Sequence, residues 1–397
     1  MNRRQAVTTR QVAELNSTSL VTTLRRRGPM TLQQLREATG LSSATITRLV
    51  DRLRRDGVVI NSGVERSTGG RPPVVVAFNP RQYSVIGIDV GARRIGGALF
   101  DLNGTVLHEF AVATHDDGAA DAARPRRDDT GTEVLDRIVQ VAQTLVTEAT
   151  AQRCPVRAVG VGVPGAVRTD TEVVQFAPSL GPWDIPLRRR LLERTDKPVV
   201  VENDVNLVAL AEHRWGAGRG ADDLLVIALG TGVGAALVLD GRLYRGHQGG
   251  AGEVGYSLLG RESLTRTWPG FGDFETRVSE LQAAIRELTL GTSDWAEVAI
   301  ALDRGAVDAD TLLDELADIV TLVCANAVSL LNPQRVVLGG AMGTALGARL
   351  APRIADRLRD RVPWQPEFAV AAVEEAVRRG AAQLADELAG RAAPGEF

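Results

Sequence analysis

The residues with the plainest chemical meaning lie in the stretch "GLSSATITRLVDRLRRD", residues 40 to 56. Ser42 or Ser43 suits a helix N-cap, since a short hydroxyl accepts from a backbone N–H that has no carbonyl partner in the first turn. From there Ile46, Leu49, Val50 and Leu53 recur at i, i+3, i+4 and i+7, so that face must turn inward. Ser43, Thr45, Thr47, Arg48 and Arg52 are left partly outward, with Ser42 at their head. Short hydroxyls and arginines on one helix face are the set that reads base edges in a major groove. Residues 1–81 carry a net charge of +9 while the remainder carries −12. A basic front on an acidic body points the front at a polyanion.

The surrounding sequence supplies what such a helix needs. "SLVTTLRRRG" reads as a first helix, broken by Pro29. Thr31 suits the cap of a second, Leu32 to Thr39, and Gly40 the tight turn before the third. The apolar runs "GVVI" and "PVVVAF" flank "NSGVERSTGGRPP", which reads as a wing with Arg71 in a turn that fits a narrow minor groove. The predicted unit is a winged helix-turn-helix over residues 1–81 with double-stranded DNA as its partner.

From Tyr83 the pattern becomes α/β. "YSVIGIDVGARRIGGALFDLNGTVLHEFAV" reads as three strands with turns at Gly91 and at Asn103-Gly104. "THDDGAADAARPRRDDTGT" lacks periodicity and reads as a mobile surface loop. A helix from about Glu133 to Thr150 and the strand "VRAVGVGV" follow. "KPVVVENDVNLVALAEHRWG" runs strand, turn, helix, and Asn203 or Asp204 suits the N-cap of that helix. "LLVIALGTGVGAALVLDGRLY" repeats the hairpins of residues 84–110, the mark of a duplicated domain. Helices are predicted over roughly 273–289, 294–304 and 310–331. The strand "RVVLGG", a helix from about Thr344, the strand "FAVAAV" and a last helix close the body, before a loose tail at 391–397.

Composition narrows the class. Cys154 and Cys324 are the only cysteines and form no paired motif, so no disulfide framework is expected. No apolar run reaches membrane-spanning length and no signal-peptide core leads the chain, which predicts a cytoplasmic protein without a membrane partner.

Residues 83–389 resemble the ROK family, and with the basic front included the whole chain resembles its repressor branch. The motifs stand in order. "GIDVGARRI" is similar to the family's first phosphate loop, Asp-x-Gly-Gly-Thr-Lys, with Asp89 and Gly91 kept but Ala92 and Arg93 replacing Gly and Thr. Gly230-Thr231-Gly232-Val233-Gly234 matches the second loop, although a Gly-x-Gly pattern also suits a plain hairpin turn. Gly339-Gly340 resembles the adenosine-side turn, with Ala341 replacing a frequent third Gly. "ENDVN" places Asn203 and Asp204 on the family's sugar-contacting Asn and catalytic Asp. Glu253 matches the Glu of Glu-x-Gly-His, Glu275 aligns with a further sugar contact, and Ser179 stands where Asn is common.

One departure stands out. Tyr256 replaces the histidine of Glu-x-Gly-His, which in the family serves zinc and sugar. The thiolates of the family's zinc segment are missing too, for "SLLGRESLTRTWPGFGDFE" contains neither Cys nor His. Zinc needs soft or imidazole ligands in tetrahedral number, so no metal is expected, and packing around Trp268, Phe271 and Phe274 would replace it. Tyr256 then offers a hydroxyl or a ring to a sugar, or is a core tyrosine.

The resemblance implies a duplicated actin-like, ribonuclease-H-like body, with one lobe over 82–203 and the other over 204–397, the last helix packing back on the first lobe. It implies a sugar-responsive transcriptional repressor of carbohydrate genes, acting as a homodimer or tetramer, with ligand residues Asn203, Asp204, Glu253, Tyr256 and Glu275. Neither zinc nor ATP is expected as a cofactor. The competing expectations are an ATP-dependent sugar kinase with an accessory DNA-binding domain, using Asp204 as base, and a constitutive DNA binder whose body only dimerises.

Overall fold

The computed structural model describes residues 9–64, 73–115, 132–168, 170–171, 173–176, 186–266, 272–289, 292, 294–305 and 309–391. Helix α1 (Thr9–Arg27), strand β1 (Met30–Thr31), helices α2 (Leu32–Thr39) and α3 (Ser43–Arg55), and strands β2 (Val59–Val64) and β3 (Val74–Phe78) form the front domain. The three strands make one antiparallel sheet in the order β1-β3-β2. Helix α1 starts well before the predicted Ser19, because Leu20 and Leu24, both fully buried or nearly so, sit in its C-terminal half and hold the whole helix against α2. Thr31 and Gln34 close a reciprocal capping box at α2, and Gly40 ends that helix at φ 71°, a left-handed turn that glycine adopts at no steric cost. The wing tip, including Arg71, lies outside the described residues, as do the predicted loop over 116–131 and the tail beyond 391.

The body holds two five-stranded sheets of one topology. The first contains β4 (Ser84–Val90), β5 (Arg94–Asp101), β6 (Val106–Ala113), β7 (Val156–Val163) and β10 (Val199–Asn203), ordered β10-β7-β4-β5-β6. The second contains β11 (Leu224–Leu229), β12 (Val233–Leu239), β13 (Arg242–Tyr244), β14 (Arg335–Gly339) and β15 (Glu367–Val370), ordered β13-β12-β11-β14-β15. Each begins with an antiparallel meander of three strands and adds two parallel strands on the far side of the first. The repeated hairpins in the sequence are therefore a duplicated fold, with β4 and β11 as equivalent central strands. A short hairpin, β8 (Ala166–Val167) with β9 (Val174–Phe176), and helix α5 (Leu187–Thr195) were not anticipated.

Helix α4 (Thr132–Ala151) covers one face of the first sheet and buries Val134, Ile138, Val141 and Leu145 there. Helices α7 (Asp273–Leu288), α8 (Trp295–Asp303), α9 (Asp310–Leu331) and α10 (Gly340–Leu358) build the core of the second lobe. Helix α10 begins at Gly340, a turn earlier than the predicted Thr344. Gly340 packs so closely that a Cβ there would lie 2.6 Å from the Leu229 carbonyl oxygen, so the helix N-terminus sits hard against the end of β11.

Helices α6 (Asp204–Trp215) and α11 (Ala376–Arg391) join the lobes. Helix α11 follows β15 of the second lobe yet lies on β4 and β7 of the first. Gly87 and Gly160 make this possible, since a Cβ on either would stand 2.0 Å from a carbonyl oxygen of α11, that of Arg378 or Ala381. Above them the alanines Ala382, Ala385 and Ala389 pack on Val85, Phe100 and Ala158. Among the described residues no helix is long and apolar enough to cross a membrane.

Candidate functional site

The carboxyl ends of parallel strands are where open α/β sheets place ligands, and the first sheet brings two acids there. Asp89 is the penultimate residue of β4, and Asp204 opens α6 directly after β10. Desolvation is the largest influence on Asp204, followed by the charge of Asp89, and together with Glu253 they outweigh the N–H of Val205 and push its carboxyl up to about 7. Asp89 is held up to about 6, by burial first and then by Glu375, against the opposing charge of Arg378. Arg378 is itself buried and salt-bridged to Glu375 at 2.6 Å and Glu109 at 3.2 Å. Burial and neighbouring carboxylates thus both disfavour the charged forms of these two acids.

The second lobe contributes the other acids. Glu275, in the first turn of α7, is pushed up by burial and by Glu253, against a hydrogen bond from the Val233 N–H. Its carboxylate fits because two glycines leave room. A Cβ on Gly232 would lie 3.1 Å from Oε1, and one on Gly255 would lie 3.0 Å from Oε2. Glu253 stands at the exposed rim just before the 3₁₀ turn Val254–Tyr256, and partial burial of its carboxyl raises it too. Tyr256 is 48% exposed, so the core-tyrosine alternative is incorrect. Burial raises its phenol, with Glu253 and Glu275 adding to the shift. Asp204, Glu253, Tyr256 and Glu275 thus gather at one cleft, joined by Asp89.

Asn203 stands apart. Its side-chain oxygen caps α6 by accepting from Asn206 N–H at 3.0 Å, and its amide donates to the Gly165 carbonyl at 3.1 Å. Both of its polar ends are engaged within the fold, which fixes where α6 starts and hence where Asp204 points. Sequence reasoning missed the buried Glu202 beside it, which accepts from the Asn203 N–H, from the Asn206 amide and from Arg245 at 2.5 Å. Arg245 follows β13, so this ion pair ties the two lobes beneath the cleft. Only the "E" of "ENDVN" hinted at it.

The first-loop departure has a local explanation. Gly91 N–H donates to the Arg94 carbonyl at 3.0 Å, closing a tight turn. The buried Thr114 clamps it from β6's end, donating its hydroxyl to the Gly91 carbonyl at 2.7 Å and its N–H to the Arg93 carbonyl at 3.0 Å. Neither Ala92 nor Arg93 has positive φ, so the turn needs no second glycine. Arg93 is exposed and close enough to Arg286 of α7 to depress that guanidinium, after burial. The second loop is held differently: Gly230 N–H donates to the Gly232 carbonyl, and the buried Gln282 donates to the Gly230 carbonyl at 2.8 Å.

The segment where the family holds zinc has hard oxygen donors tied to each other. Asp273 accepts from Leu259 N–H at 2.8 Å and from the Ser263 hydroxyl, and Phe274 is fully buried in the second-lobe core. Such a donor set does not fit zinc, and among the described residues no three His, Cys, Asp or Glu side chains group together to hold a metal. Trp268 and Phe271 lie outside the described residues, as does Ser179.

On the front domain, Ser42 is the N-cap of α3, accepting from Thr45 N–H at 3.2 Å. Its hydroxyl also meets that of the half-buried Thr45 at 2.9 Å, and Thr47 donates its hydroxyl to the Ser43 carbonyl at 3.0 Å. Ile46, Leu49, Val50 and Leu53 are buried as the spacing predicts. Ser43, Thr47, Arg48 and Arg52 are exposed, Arg52 within 3.6 Å of Asp56, and Arg48 forms no ion pair among the described residues.

Comparison with known proteins agrees with this division. Residues 13–62 match the MarR family and residues 85–387 the ROK family. The xylose repressor of Bacillus subtilis (strain 168) is 27% identical over 331 residues, 82% of either chain. The glucokinase of Halalkalibacterium halodurans is 30% identical, covering 65% of this chain and 80% of the enzyme. A ROK family transcriptional regulator described as a homologue of the E. coli MLC protein superposes with a TM-score of 0.73 at 23% identity, covering 95% of this chain and 97% of its own, which fixes the fold. With well over half of its length matched, from the first strand of one lobe to the last helix, the chain belongs to the ROK family.

Proposed function

We propose that this chain is a sugar-responsive DNA-binding repressor. One observation carries the reading: Leu102, at the tip of the β5–β6 hairpin of the body, belongs to the same apolar core as Leu20, Leu24, Ile46 and Val76 of the winged helix. Strand β5 runs from that core to the Arg94 end beside the acid cleft. A ligand that moves the first lobe therefore moves the helix that carries Arg48. Asp204, Glu253 and Glu275 supply acceptors for adjacent sugar hydroxyls, Tyr256 a hydroxyl or ring face, and Asp89 a second carboxyl beside Asp204. Asn203 sets the position of Asp204. Two copies of the winged helix would meet two half-sites of a pseudo-palindromic operator, as a homodimer or a pair of dimers.

A second reading, an ATP-dependent sugar kinase, is favoured by Asp204, whose carboxyl near 7 suits proton transfer from a hydroxyl. Against it stands Arg93 where a phosphate loop needs open backbone, since phosphoryl transfer depends on positioning. We assign no zinc and no catalytic ATP to the protein. The test is a thermal-shift screen of monosaccharides, amino sugars and their phosphates, followed by operator gel shifts with each hit. A hit that raises the melting temperature and releases the operator is expected. ATP turnover with any sugar, lost in Asp204→Ala, would restore the kinase.

A further inference from the structure

At the end of α6 opposite Asp204, body and winged helix line a half-open cavity of about 240 Å³. One wall is the C-terminal end of α1, with Arg25 and Arg26. A second is the β5–β6 turn at Leu102–Gly104. The third is made by the far end of α6, with Arg214 and Trp215, and by α11, with Arg379.

Four guanidinium groups meet there against a single lining carboxylate, that of Asp386, which already accepts the Tyr83 hydroxyl at 3.0 Å. Arg25 donates to the Leu102 carbonyl and Arg379 to that of Gly104 at 3.2 Å. Those carbonyls are dipoles and neutralise no charge. Arg26 and Arg214 have no ion pair among the described residues, and Arg214 lies over the ring of the 41% exposed Trp215, 4.9 Å from its centroid. The arginines of α10 make an instructive contrast in the same acidic body. Arg349, Arg353 and Arg357 are each matched to aspartates of α8 or α9. Gln383, also in the wall, keeps a buried side-chain oxygen with no donor among the described residues.

We infer that this junction cavity binds a small anionic ligand bearing a phosphate or pyrophosphate group, clamped between Arg25 and Arg26 of the winged helix and Arg214 and Arg379 of the body. Guanidinium forks match phosphate oxygens in pairs, and the exposed indole offers a flat apolar wall beside them. The cavity is too small for a duplex. Its placement makes it a control point. Helix α6 begins at Asp204 in the cleft and ends at Trp215 in this cavity, and the first turn of α11 carries Arg378, beside Asp89, next to Arg379 of the cavity wall. An anion that ties the winged helix to these ends restrains the same elements that a cleft ligand must move, so the two sites bias each other reciprocally.

The test titrates sodium pyrophosphate into the full chain, read by calorimetry and by tryptophan fluorescence. Saturable binding of one pyrophosphate per chain is expected, with the fluorescence change lost in Trp215→Phe. Arg214→Gln combined with Arg379→Gln should weaken it about tenfold or more, whereas Arg48→Ala, on the reading helix, should leave it unchanged. Arg214→Gln alone removes a side chain with no ion pair among the described residues, so it reports even if the double variant folds poorly. Absence of saturable binding up to about 10 mM, or equal affinity in Arg214→Gln and the parent, would overturn the site. So would competition by duplex DNA that disappears in Arg214→Gln, which would assign these arginines to a nucleic-acid backbone.

Discussion

The reading helix and the acid cleft use polar residues in opposite ways. On α3 the hydroxyls of Ser42, Thr45 and Thr47 close local hydrogen bonds, and Arg48 extends into solvent. All of this comes from the helix of thirteen residues and the cap just before it, over one apolar face. In the cleft, acids from positions 89, 204, 253 and 275 are gathered by four different elements and left partly desolvated, without matching cations on Asp204, Glu253 or Glu275 among the described residues. An exposed helix face is stable by itself and ready for a polyanion. A half-buried cluster of carboxyls is costly to leave unpartnered.

That contrast can be broken by removing one acid. Asp204→Ala should abolish sugar-induced operator release while leaving operator affinity intact, as measured by gel shift with and without sugar. Loss of operator binding in this variant would mean that the cleft builds the reading surface rather than controls it. Arg48→Ala should do the reverse, lowering specific operator affinity by about 1–3 kcal/mol if the arginine reads a base edge. Sugar-induced thermal shifts should be untouched. An unchanged operator affinity would move readout to Thr47, Arg52 or the wing.

Titration sharpens the difference further. An acid whose native carboxyl is raised leaves the folded state holding more protons than the unfolded one, so its contribution is full in acid and is lost as pH rises through the native value. For Asp89 and Asp204 that window runs from the ordinary carboxylate range near 4 up to about 7. Asp204→Asn should therefore raise the melting temperature by several degrees, roughly 2–6 °C, at pH 8. At pH 5, where the parent is already protonated, little change is expected. Equal gains at both pH values would show that the carboxyl is not held up by its surroundings. The smallest effect is expected from metal: a chelator should leave the melting curve unmoved, and elemental analysis should find no stoichiometric zinc.

Much of the front domain was legible because its signals are local. Ser42, Gly40 and the spacing of Ile46, Leu49, Val50 and Leu53 act within two turns of one helix, and the structure places all of them accordingly. The N-terminal extension of α1 was not legible, since residues 9–18 lack a clear apolar stripe and the helix is held by contacts further along. In the cleft, Asp204 was found through "ENDVN", but the engaged state of Asn203 depends on the Gly165 carbonyl, 38 positions away in the chain. Glu202 and Arg245 escaped notice because an ion pair between residues 43 apart leaves no periodicity.

The sequence by itself determined the order of elements, the duplication and the lack of Cys and His over residues 257–275, since periodicity, turn residues and residue types are properties of the string. The return of the last helix to the first lobe was implied by the family resemblance, and the tertiary structure added that α11 rests there directly over Gly87 and Gly160. Only the tertiary structure decided that Leu102 enters the winged-helix core and that four arginines converge at the junction. The reason is one of range. Helix and strand patterns are set by neighbours a few residues apart, whereas desolvated carboxyls and unmatched guanidinium groups acquire their meaning from what the fold brings within a few ångströms of them.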